Sequence, residues 1–406
     1  MSPNLFISAG EASGEHYGAL LICELKRRLA AQGQSARFFG MGGDRMAAAG
    51  LERIVRSEDM AVMGITEVVR HLPRIYREFR RLRKSIRDRR PAVAVLIDFP
   101  DIHFKLAKEL HALGVPVLFF VSPQLWAWKK HRIELVRKYV TRMMVIFPFE
   151  ESFYRERGVK AEFVGHPLAE LPMPSIARED FAAQNGLNPS RPWIALLPGS
   201  RSREIRANLP EMLEAAWGLT ERAPSREYQF LLPLAPTLDG AQQAAVHEFV
   251  EQSAGGLCIR LVKDARAALL HARASVVASG TATVEAALIG NPFIVVYRVS
   301  PVTWAIARRV VTVPHVAMAN LIAQKRVVPE LIQNDFTASN IIEELERLLP
   351  DSPARQSMKM ELAAIRELLN AGHVHPTGSA IGRVAAATLE LMNASTPSGM
   401  GQDVQS

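Results

Sequence analysis

The sequence has 406 residues, 48% of them hydrophobic and 22% charged, which predicts about two or three folded domains and excludes an intrinsically disordered chain. Its two cysteines, Cys23 and Cys258, match no zinc-site or C-x-x-C spacing, which is typical of a reducing compartment. No apolar run reaches the ~20 residues of a membrane-spanning helix, and no secretory leader precedes the first predicted strand. We therefore expect a cytoplasmic protein. The net charge of +8 is local, because residues 70–90 contain ten Lys and Arg against two acids and the rest of the chain sums to zero.

The first motif, SAGEASGEHYG at residues 8–18, lies between a predicted strand and a predicted helix at Ala19–Leu29. Its glycines recur every fourth residue, which fits neither the dinucleotide pattern G-x-G-x-x-G nor the triphosphate pattern G-x-x-x-x-G-K-S/T. A nucleotide triphosphatase and a nicotinamide enzyme are therefore disfavoured. Open α/β sheets bind ligands at the carboxyl ends of their strands, so a polar turn with Glu11, Ser13 and Glu15 is a candidate site. The alternative is a glycine turn that serves only the backbone conformation.

A strongly cationic amphipathic helix is predicted within residues 70–90, after the aliphatic cluster MAVMGITEVV at 60–69. This helix could pack on a sheet with its charges in water, or it could contact anionic lipid or nucleic acid. Because few aromatic side chains suited to base stacking are present, lipid is favoured over nucleic acid. The apolar positions at helical spacing are Leu72, Ile75, Phe79, Leu82 and Ile86.

Strand and helix patterns alternate along the chain, which predicts parallel sheets covered by helices. We predict two Rossmann-like domains whose parallel sheets face a cleft, at 1–168 and 192–350, joined by a linker at 169–191. Two helices at 351–395 are expected to pack back on the domains, and residues 396–406 to form a frayed tail. The predicted strands are Asn4–Ser8, Ala36–Gly40, Val93–Asp98, Pro116–Val121, Arg142–Phe147 and Ala161–Val164, and then stretches within 193–200, 227–234, 258–262, 274–280 and 292–298.

Two acids follow one buried strand in the motif VLIDFPDIHFK. Asp98 stands at the tip of the strand, where a carboxylate is expected to face the ligand edge of the sheet. Asp101 could instead cap the next helix. The neighbouring strand ends in VSPQLWAWKKHR at 121–132, whose Trp126 and Trp128 could line a sugar-binding wall or pack in the core.

The second predicted domain contains two turns of the kind that binds phosphate. In LLPGSRSREI at 196–205, Gly199 and Ser200 lead from a strand into a helix, so that free backbone N–H groups and Arg201 could converge on a phosphate. The stretch at 278–292 repeats this pattern. Each turn alone could be no more than a capped helix, but two in one domain favour a nucleotide diphosphate.

The second turn combines small and hydroxyl residues with an acid. Gly280, Thr281 and Thr283 stand at a predicted helix N-terminus, and Glu285 follows one turn later. A carboxylate there cannot bind phosphate directly, but it could accept hydrogen bonds from ribose hydroxyls.

Several motifs together resemble those of the lipid-A-disaccharide synthases, inverting glycosyltransferases of the GT-B architecture. The resemblance covers nearly the whole chain, through GEASGE, AVMGITEV, IDFPDIHFK, VSPQLWAW, FVGHPL, LLPGSR, SGTATVEAAL and NLIAQKRVVPELIQ in this order. Two departures are visible. The family usually has Asp where this chain has Glu15, and Leu-Pro where Met318 and Ala319 precede Asn320.

The resemblance implies a fold of GT-B type and a defined reaction. UDP-2,3-diacylglucosamine is joined to 2,3-diacylglucosamine 1-phosphate (lipid X), which gives the β-1,6-linked lipid A disaccharide 1-phosphate and UDP. Asp98 is expected to act as the base for the acceptor 6-hydroxyl, and Arg201 to stabilise the departing diphosphate. Because the chain has no D-x-D motif, arginine and helix N-termini would replace a metal, and we expect neither a metal nor another cofactor.

The resemblance also implies substrate contacts and partners. The partners would be UDP-diacylglucosamine, lipid X and the anionic cytoplasmic face of the inner membrane, with a possible homodimer and no nucleic acid. The expected UDP-binding residues are Gly199, Ser200, Arg201, Gly280, Thr281, Ala282, Thr283, Glu285, Asn320, Glu330 and Gln333. The expected acceptor residues are Glu11, Ser13, Glu15, Met63 and Trp126. The expected membrane-facing residues are Val68, Val69, Leu72, Arg74, Arg77 and Arg81.

Two other classes of protein stay open at this point. A UDP-sugar 2-epimerase would share the two-domain cleft and the UDP site, but it would need no lipid surface. A nucleic-acid-binding protein without enzymatic activity could use the basic segment, but it would leave the cleft motifs unexplained.

Overall fold

The computed structural model describes residues 2–60, 65–128, 130–311, 313–370 and 378–395. The chain forms two compact units. The first unit runs through Glu170 and also contains the C-terminal helix at Ala380–Ser395, whereas the second unit comprises Leu171–Asn370. Each unit is built on one sheet in which every described strand pair is parallel. The prediction of two Rossmann-like α/β units is confirmed.

The first sheet has seven described strands in the order β3-β2-β1-β4-β5-β6-β7. They are β1 (Asn4–Ala9), β2 (Arg37–Gly42), β3 (Leu51–Arg56), β4 (Val93–Ile97), β5 (Val117–Phe120), β6 (Arg142–Val145) and β7 (Ala161–Phe163). The second sheet has six, in the order β10-β9-β8-β11-β12-β13. They are β8 (Trp193–Leu197), β9 (Gln229–Pro233), β10 (Ile259–Val262), β11 (Ala274–Ala278), β12 (Phe293–Tyr297) and β13 (Glu330–Ile332).

Helices connect successive parallel strands, as parallel pairing requires. The described α-helices are α1 (Ala12–Ala31), α2 (Asp44–Ala49), α3 (Ile65–Arg89), α4 (Pro100–Ala112), α5 (Ile133–Tyr139), α6 (Pro148–Arg155), α7 (Arg178–Asn185), α8 (Ser202–Arg222), α9 (Gly240–Ser253), α10 (Ala265–His271), α11 (Thr281–Ile289), α12 (Pro301–Val310), α13 (Met318–Ala323), α14 (Ala338–Leu348), α15 (Pro353–Leu369) and α16 (Ala380–Ser395).

The central strands of the first sheet are buried on both faces. Ile7 and Val95 lie in the apolar layer with α1 and α16, whereas their neighbours Phe6 and Leu96 lie in the opposite layer with α3 and α4. Successive side chains of a strand point to opposite faces, so strands covered on both sides need nearly continuous apolar sequence. This requirement explains why the central strands were recognisable from the sequence.

The predicted polar turn at residues 8–18 is mostly helical, because α1 begins at Ala12 and not at Ala19. Gly18 lies inside α1, where a Cβ atom would lie 2.7 Å from the sulfur of Met46 in α2. Gly10 precedes α1, and a Cβ atom there would lie 2.3 Å from the ring of Phe99. These two glycines therefore permit close packing, and ligand binding at the short loop before α1 stays a prediction.

The C-terminal helices belong to different units. Helix α15 packs on α11, α13 and α14 of the second unit, and α16 packs on α1, β4 and β5 of the first. Within the stretch read as a linker, α7 at Arg178–Asn185 buries Phe181 against Trp193 of the second unit. The sequence did not predict β3 and β13, since β3 contains three charged residues among its six and β13 has only three residues.

Candidate functional site

Four of the candidate residues follow the strands at which the strand order of each sheet reverses. In the first unit the chain adds β2 and β3 on one side of β1 and then continues on the other side with β4. The second unit does the same at β8 and β11. The loops that leave such neighbouring strands diverge, and ligands of open α/β sheets bind in the crevice that results. In the first sheet these loops carry Glu11 and Asp98, and in the second they carry Arg201 and Thr281.

Asp98 follows β4 directly and has an unusual backbone conformation. Both Asp98 and Phe99 have a φ angle of 52°, in the left-handed region that residues with a Cβ atom rarely adopt. The Asp98 N–H group still donates to the carbonyl oxygen of Phe120 in β5, at 3.0 Å. Phe99 is the N-cap of α4, and Pro100 occupies the first helical position, where its missing N–H group costs nothing. The hydrogen bond to β5 therefore fixes the N–H group of Asp98, and α4 begins two residues further along the chain, at Pro100.

The carboxyl group of Asp98 has the proton affinity of a base that works at neutral pH. Burial, and to a lesser degree the nearby charge of Glu11, raises the pKa of Asp98 to about 7, although a hydrogen bond from the Phe99 N–H group opposes the shift. A general base is most effective when its pKa lies near the working pH. Asp101 differs, since its exposed carboxylate forms an ion pair of 2.7 Å with Arg132.

A buried histidine contacts the backbone of Asp98. The ring of His103 in α4 is fully buried, with Nδ1 2.5 Å from the carbonyl oxygen of Asp98 and Nε2 2.8 Å from Oγ of Ser8 in β1. Burial lowers the pKa of His103 to about 4, so the ring is neutral at physiological pH.

The predicted acceptor residues have different environments. Glu11 is the N-cap residue of α1 and is partly buried, and Ser13 lies in the first turn of the same helix. The carboxylate of Glu15 accepts a hydrogen bond of 2.8 Å from the backbone N–H of Arg45, at the start of α2. Met63 lies outside the described residues. Glu15 thus stabilises the N-terminus of α2, and its contact with a sugar stays a prediction.

Trp126 is buried, and its indole Nε1–H donates to Oε1 of Glu150 at 3.0 Å. Glu150 is itself buried in α6, and its Oε2 accepts a hydrogen bond of 3.1 Å from the Phe147 N–H group. The ring of Phe149 meets Trp126 edge-on, at a centroid distance of 5.0 Å. Trp126 therefore anchors the loop that follows β5 to α6, whereas Trp128 is 42% exposed.

The first candidate phosphate turn joins β8 to α8. Gly199 has a φ angle of +130°, and a Cβ atom there would lie 2.6 Å from Cβ of Glu204, so only glycine fits. The Ser200 N–H group donates to one carboxylate oxygen of Glu204 at 3.0 Å, and the guanidinium of Arg201 donates to the other at 3.2 Å. A carboxylate therefore occupies the N-terminus of α8, where N–H groups and an arginine converge on an anion.

The second candidate turn joins β11 to α11. Gly280 has a φ angle of +141°, and a Cβ atom built there meets no atom within 4 Å. The hydroxyl of Thr283 donates to the carbonyl oxygen of Gly280 at 2.7 Å, whereas Thr281 is exposed and Ala282 is partly exposed. Burial is the largest cause that raises the pKa of Glu285, one turn into α11. Thr283 thus closes the turn, and Thr281 borders open space.

Asn320, Glu330 and Gln333, the remaining predicted UDP-binding residues, hold loops in place. Asn320 is fully buried, with its oxygen accepting from two backbone N–H groups and its amide donating to the Val328 carbonyl and to Glu330. Glu330 also accepts from the N–H groups of Val316 and Ala317, just before α13. Gln333 exchanges hydrogen bonds of 2.6 and 3.1 Å with the backbone of residue 299. Direct contact of these three residues with UDP stays a prediction.

Comparison with known proteins places the chain in a family. A family model described as lipid-A-disaccharide synthetase matches residues 5–382. The chain belongs to this family. It is 58% identical over 402 residues to a lipid-A-disaccharide synthase of Acidobacterium capsulatum, with 96% of this chain and 97% of the relative covered. It is 50% identical over 387 residues to a protein of the same description from Koribacter versatilis, with 95% and 98% covered.

Solved structures similar to this chain share its architecture. The UDP-GlcNAc 2-epimerase of Neisseria meningitidis, determined with bound UDP-GlcNAc, has a TM-score of 0.61 at 11% identity, with 96% of this chain and 100% of that one covered. A calicheamicin glycosyltransferase has a TM-score of 0.57 at 18% identity, with 98% and 100% covered. At these identities the likeness shows the fold alone. The prediction of an α/β fold of GT-B type is confirmed, as is the resemblance to the lipid-A-disaccharide synthases.

In this member of the lipid-A-disaccharide synthetase family, α3 contains the basic segment. Leu82 and Ile86 are fully buried against the first sheet, so this half of the apolar stripe packs in the core. Tyr76 is 62% exposed. The side chains of Val68, Val69 and Leu72 lie outside the described residues. The exposed basic residues of the predicted membrane-facing set are Arg74, Arg77 and Arg81.

Ion pairs reduce the positive charge that the sequence assigned to α3. Glu78 is buried and lies within 3.3 Å of Arg77 and 2.7 Å of Arg81. Glu109 of α4 lies 2.6 Å from Arg83 and also contacts Arg87. None of the helices in the described ranges is apolar over a length that would cross a bilayer.

Four polar residues of the family member's site regions were missing from the sequence prediction: Ser8, His103, Glu150 and Glu204. His103 lies within the motif IDFPDIHFK and Glu204 within LLPGSRSREI, where an acid three residues after the N-cap is a known capping signal. No signal in the sequence shows that Ser8, His103 and Glu150 are buried and in contact with the loops of the site.

Proposed function

We propose that the protein transfers diacylglucosamine from UDP to the 6-hydroxyl of 2,3-diacylglucosamine 1-phosphate, with inversion at the anomeric carbon and without a metal ion. The observation that carries this proposal is Asp98, a carboxyl group at the switch point of the first sheet with a pKa raised to about 7. Membership of the lipid-A-disaccharide synthetase family supplies the substrate class.

In the proposed reaction, the carboxylate of Asp98 takes the proton of the acceptor 6-hydroxyl while that oxygen attacks C1 of the donor sugar. The bond between C1 and the β-phosphate oxygen breaks on the opposite face, and UDP leaves with the bonding electron pair. Attack opposite the leaving group inverts the configuration at C1 and gives a β linkage.

The departing diphosphate gains negative charge, which the second unit is suited to stabilise. Arg201 and the N–H groups at the start of α8, together with those at the start of α11, provide positive charge and dipoles without a metal. Since Glu204 now accepts hydrogen bonds from Ser200 and Arg201, a bound phosphate would have to displace its carboxylate.

Both substrates carry acyl chains, so the enzyme is proposed to work at the cytoplasmic face of the inner membrane. The exposed Arg74, Arg77, Arg81 and Tyr76 of α3 support this proposal, because cationic and amphipathic side chains suit an anionic lipid surface. A homodimer stays a prediction.

The direct test incubates purified protein with UDP-2,3-diacylglucosamine and lipid X and identifies the products by mass and by NMR of the new linkage. A disaccharide 1-phosphate with a β-1,6 bond and one UDP per linkage is expected, at the same rate with and without EDTA. Release of a monosaccharide would support a UDP-sugar 2-epimerase instead, and loss of activity in EDTA that Mg²⁺ restores would contradict the metal-free mechanism.

A further inference from the structure

His103 is a buried polar side chain whose two ring nitrogens contact two different parts of the first unit. Nδ1 lies 2.5 Å from the Asp98 carbonyl oxygen, and Nε2 lies 2.8 Å from Oγ of Ser8. Ser8 belongs to β1 and is fully buried, and Asp98 directly follows β4. The ring therefore bridges the two strands on either side of the switch point.

The contacts of His103 determine where its proton lies. A carbonyl oxygen can only accept, so Nδ1 carries the hydrogen and donates to Asp98. In a neutral ring Nε2 must then accept, and the hydroxyl of Ser8 donates to it. Since burial holds the pKa of His103 near 4, this arrangement persists throughout the neutral pH range.

This hydrogen bond acts on the most strained part of the loop. Asp98 and Phe99 both have a φ angle of 52°, a conformation that is unfavourable for residues with a Cβ atom and persists only where the surroundings impose it. The Asp98 N–H group is bound to the carbonyl of Phe120, and its carbonyl is bound to His103. With both ends of the residue held, the direction of its Cα–Cβ bond is fixed, and this bond sets where the carboxyl group can reach.

Packing around the ring supports the same conformation. The ring of Phe99 meets His103 edge-on at a centroid distance of 5.8 Å, and Phe119 of β5 meets it from another side at 6.1 Å. Gly10 leaves the space that the Phe99 ring occupies, since a Cβ atom there would lie 2.3 Å from that ring.

We propose that His103, held by Ser8, is a positioning residue that orients the carboxylate of Asp98 toward the acceptor hydroxyl. This inference rests on the proposed role of Asp98 as the base. His103 contacts neither substrate; it acts on the turnover step by donating to the Asp98 carbonyl. The alternative is that His103 merely fills the core, in which case any side chain of similar volume would preserve turnover.

Two amide variants separate these alternatives. The side-chain amide of Asn can place its nitrogen near the position of Nδ1, whereas that of Gln reaches the position of Nε2. His103→Asn should therefore keep the donor to Asp98, and His103→Gln should keep only the contact with Ser8. We expect His103→Gln to lower kcat by ~10–100-fold with KM for both substrates nearly unchanged, since a misplacement of about 1 Å costs about 10²-fold. His103→Asn should keep kcat within a few-fold of the wild type.

Ser8→Ala is the second test, because it removes one hydroxyl from a strand and leaves His103 in place. It should lower kcat, by less than His103→Gln does, without a change in KM. Equal kcat values in the Asn and Gln variants would overturn the proposal, as would wild-type kcat in Ser8→Ala. Should both amide variants fail to fold, the Ser8→Ala result decides the matter alone.

Asp98→Ala distinguishes a failure of this inference from a failure of the proposed function. Should Asp98→Ala retain wild-type turnover, Asp98 is not the base and both proposals fail. Should it lose turnover while His103→Gln retains it, only the role of His103 fails. In the Asp98→Ala background the change His103→Gln should cause no further loss of kcat, whereas a purely structural defect would add to the loss.

Discussion

Asp98 combines a reactive carboxyl group with a backbone conformation that few residues tolerate. Burial raises its pKa to about 7, and burial also places the group where an ionised carboxylate is costly. A residue selected for stability alone would avoid both the charge and the left-handed conformation, so the site fits a functional role better than a structural one.

Asp98→Ala should lower kcat by ~10²–10⁴-fold, since it removes the proposed general base. UDP binding should stay nearly intact, because the UDP-binding candidates lie in the second unit. Steady-state kinetics and calorimetric titration with UDP measure the two effects. Turnover equal to the wild type would transfer the role to another acid, with Glu11 and Glu15 as candidates.

The pH profile of the wild type should follow the ionisation of the same group. A base accepts a proton only when it is deprotonated, so a pKa of about 7 predicts that kcat/KM falls about tenfold per pH unit below 7 and levels off above it. Rates measured between pH 5 and 9 test this, with circular dichroism as the control for folding. A flat profile across pH 7 would contradict the assignment.

Arg201→Ala should weaken UDP binding and lower kcat together. A charge-assisted contact to the diphosphate exists in the bound state and strengthens as negative charge develops on the leaving group. Arg222→Ala, at the other end of α8, is a matched control, because Arg222 is exposed and pairs with Glu346. Equal UDP affinity and rate in both variants would exclude Arg201 from the site.

At the level of single residues, the sequence predicted side chains that follow the ends of apolar strands. Asp98 and Arg201 were proposed in this way, because strand ends are recognisable and ligands bind there. His103 and Ser8 were not, since each looks like an ordinary helix or strand residue until the fold brings α4 against β1. The family resemblance also implied direct UDP contact for Asn320, which stays a prediction; its hydrogen-bonding groups are engaged within the chain.

At the level of secondary-structure elements, a buried carboxyl group holds one of the loops near the site in place. The loop after β5 is tied to α6 through Trp126 and Glu150, and each oxygen of this carboxyl group accepts from a different N–H group. Burial raises the pKa of Glu150 to about 8, although these donors oppose the shift.

The glycine-spaced segment at 8–18 was predicted to be a turn, but most of it is helical. Glycines that permit helix packing and glycines that form turns look alike in one sequence.

Glu150→Gln should destabilise the first unit by ~1–3 kcal/mol, the usual cost of a buried group left without a partner. An amide offers one oxygen, so in either orientation its NH₂ group faces the N–H of Trp126 or of Phe147. Urea denaturation at pH 4 measures the change, because the Glu150 carboxyl group is then largely neutral in both the folded and the unfolded chain. At pH 7 folding of the wild type must protonate Glu150, since burial raises its pKa to about 8, and Gln removes this cost, so the loss of stability should shrink as the pH rises. Glu151→Gln, one position further along α6 and partly exposed, should change stability little, and equal stability of the two variants would contradict this account of the loop.

Across the molecule, two sheets that share the same order over six strands support different parts of the proposed chemistry. The first unit contributes the candidate base and α3, and the second contributes the two candidate phosphate turns. The two-sheet architecture was predictable because the central strands are apolar runs bounded by turn residues. The sequence did not predict that α7 and α15 belong to the second unit, because this depends on which unit their apolar side chains pack against.

The cationic helix α3 is the proposed contact with the membrane, and its two halves should respond differently to polar substitution. Each Lys or Arg near an anionic bilayer contributes about 1 kcal/mol within the Debye length, but part of this charge is already paired with Glu78 and Glu109. We therefore expect the protein to sediment with vesicles that contain acidic lipid at low salt, and to be released as the salt concentration rises.

Replacing Val68, Val69 and Leu72 by serine should abolish this sedimentation and leave folding and UDP affinity unchanged, if these aliphatic residues enter the lipid. Ile86→Ser is the contrasting variant on the same helix. Ile86 is fully buried, and a polar group in its place should lower the free energy of unfolding by several kcal/mol, of the order found for truncated core residues. Vesicle sedimentation, thermal denaturation and UDP titration of both variants measure the difference. If the triple serine variant unfolds as Ile86→Ser does, its aliphatic residues pack in the core. If the wild type does not bind acidic vesicles at any salt concentration, the acylated substrates must reach the site by another route.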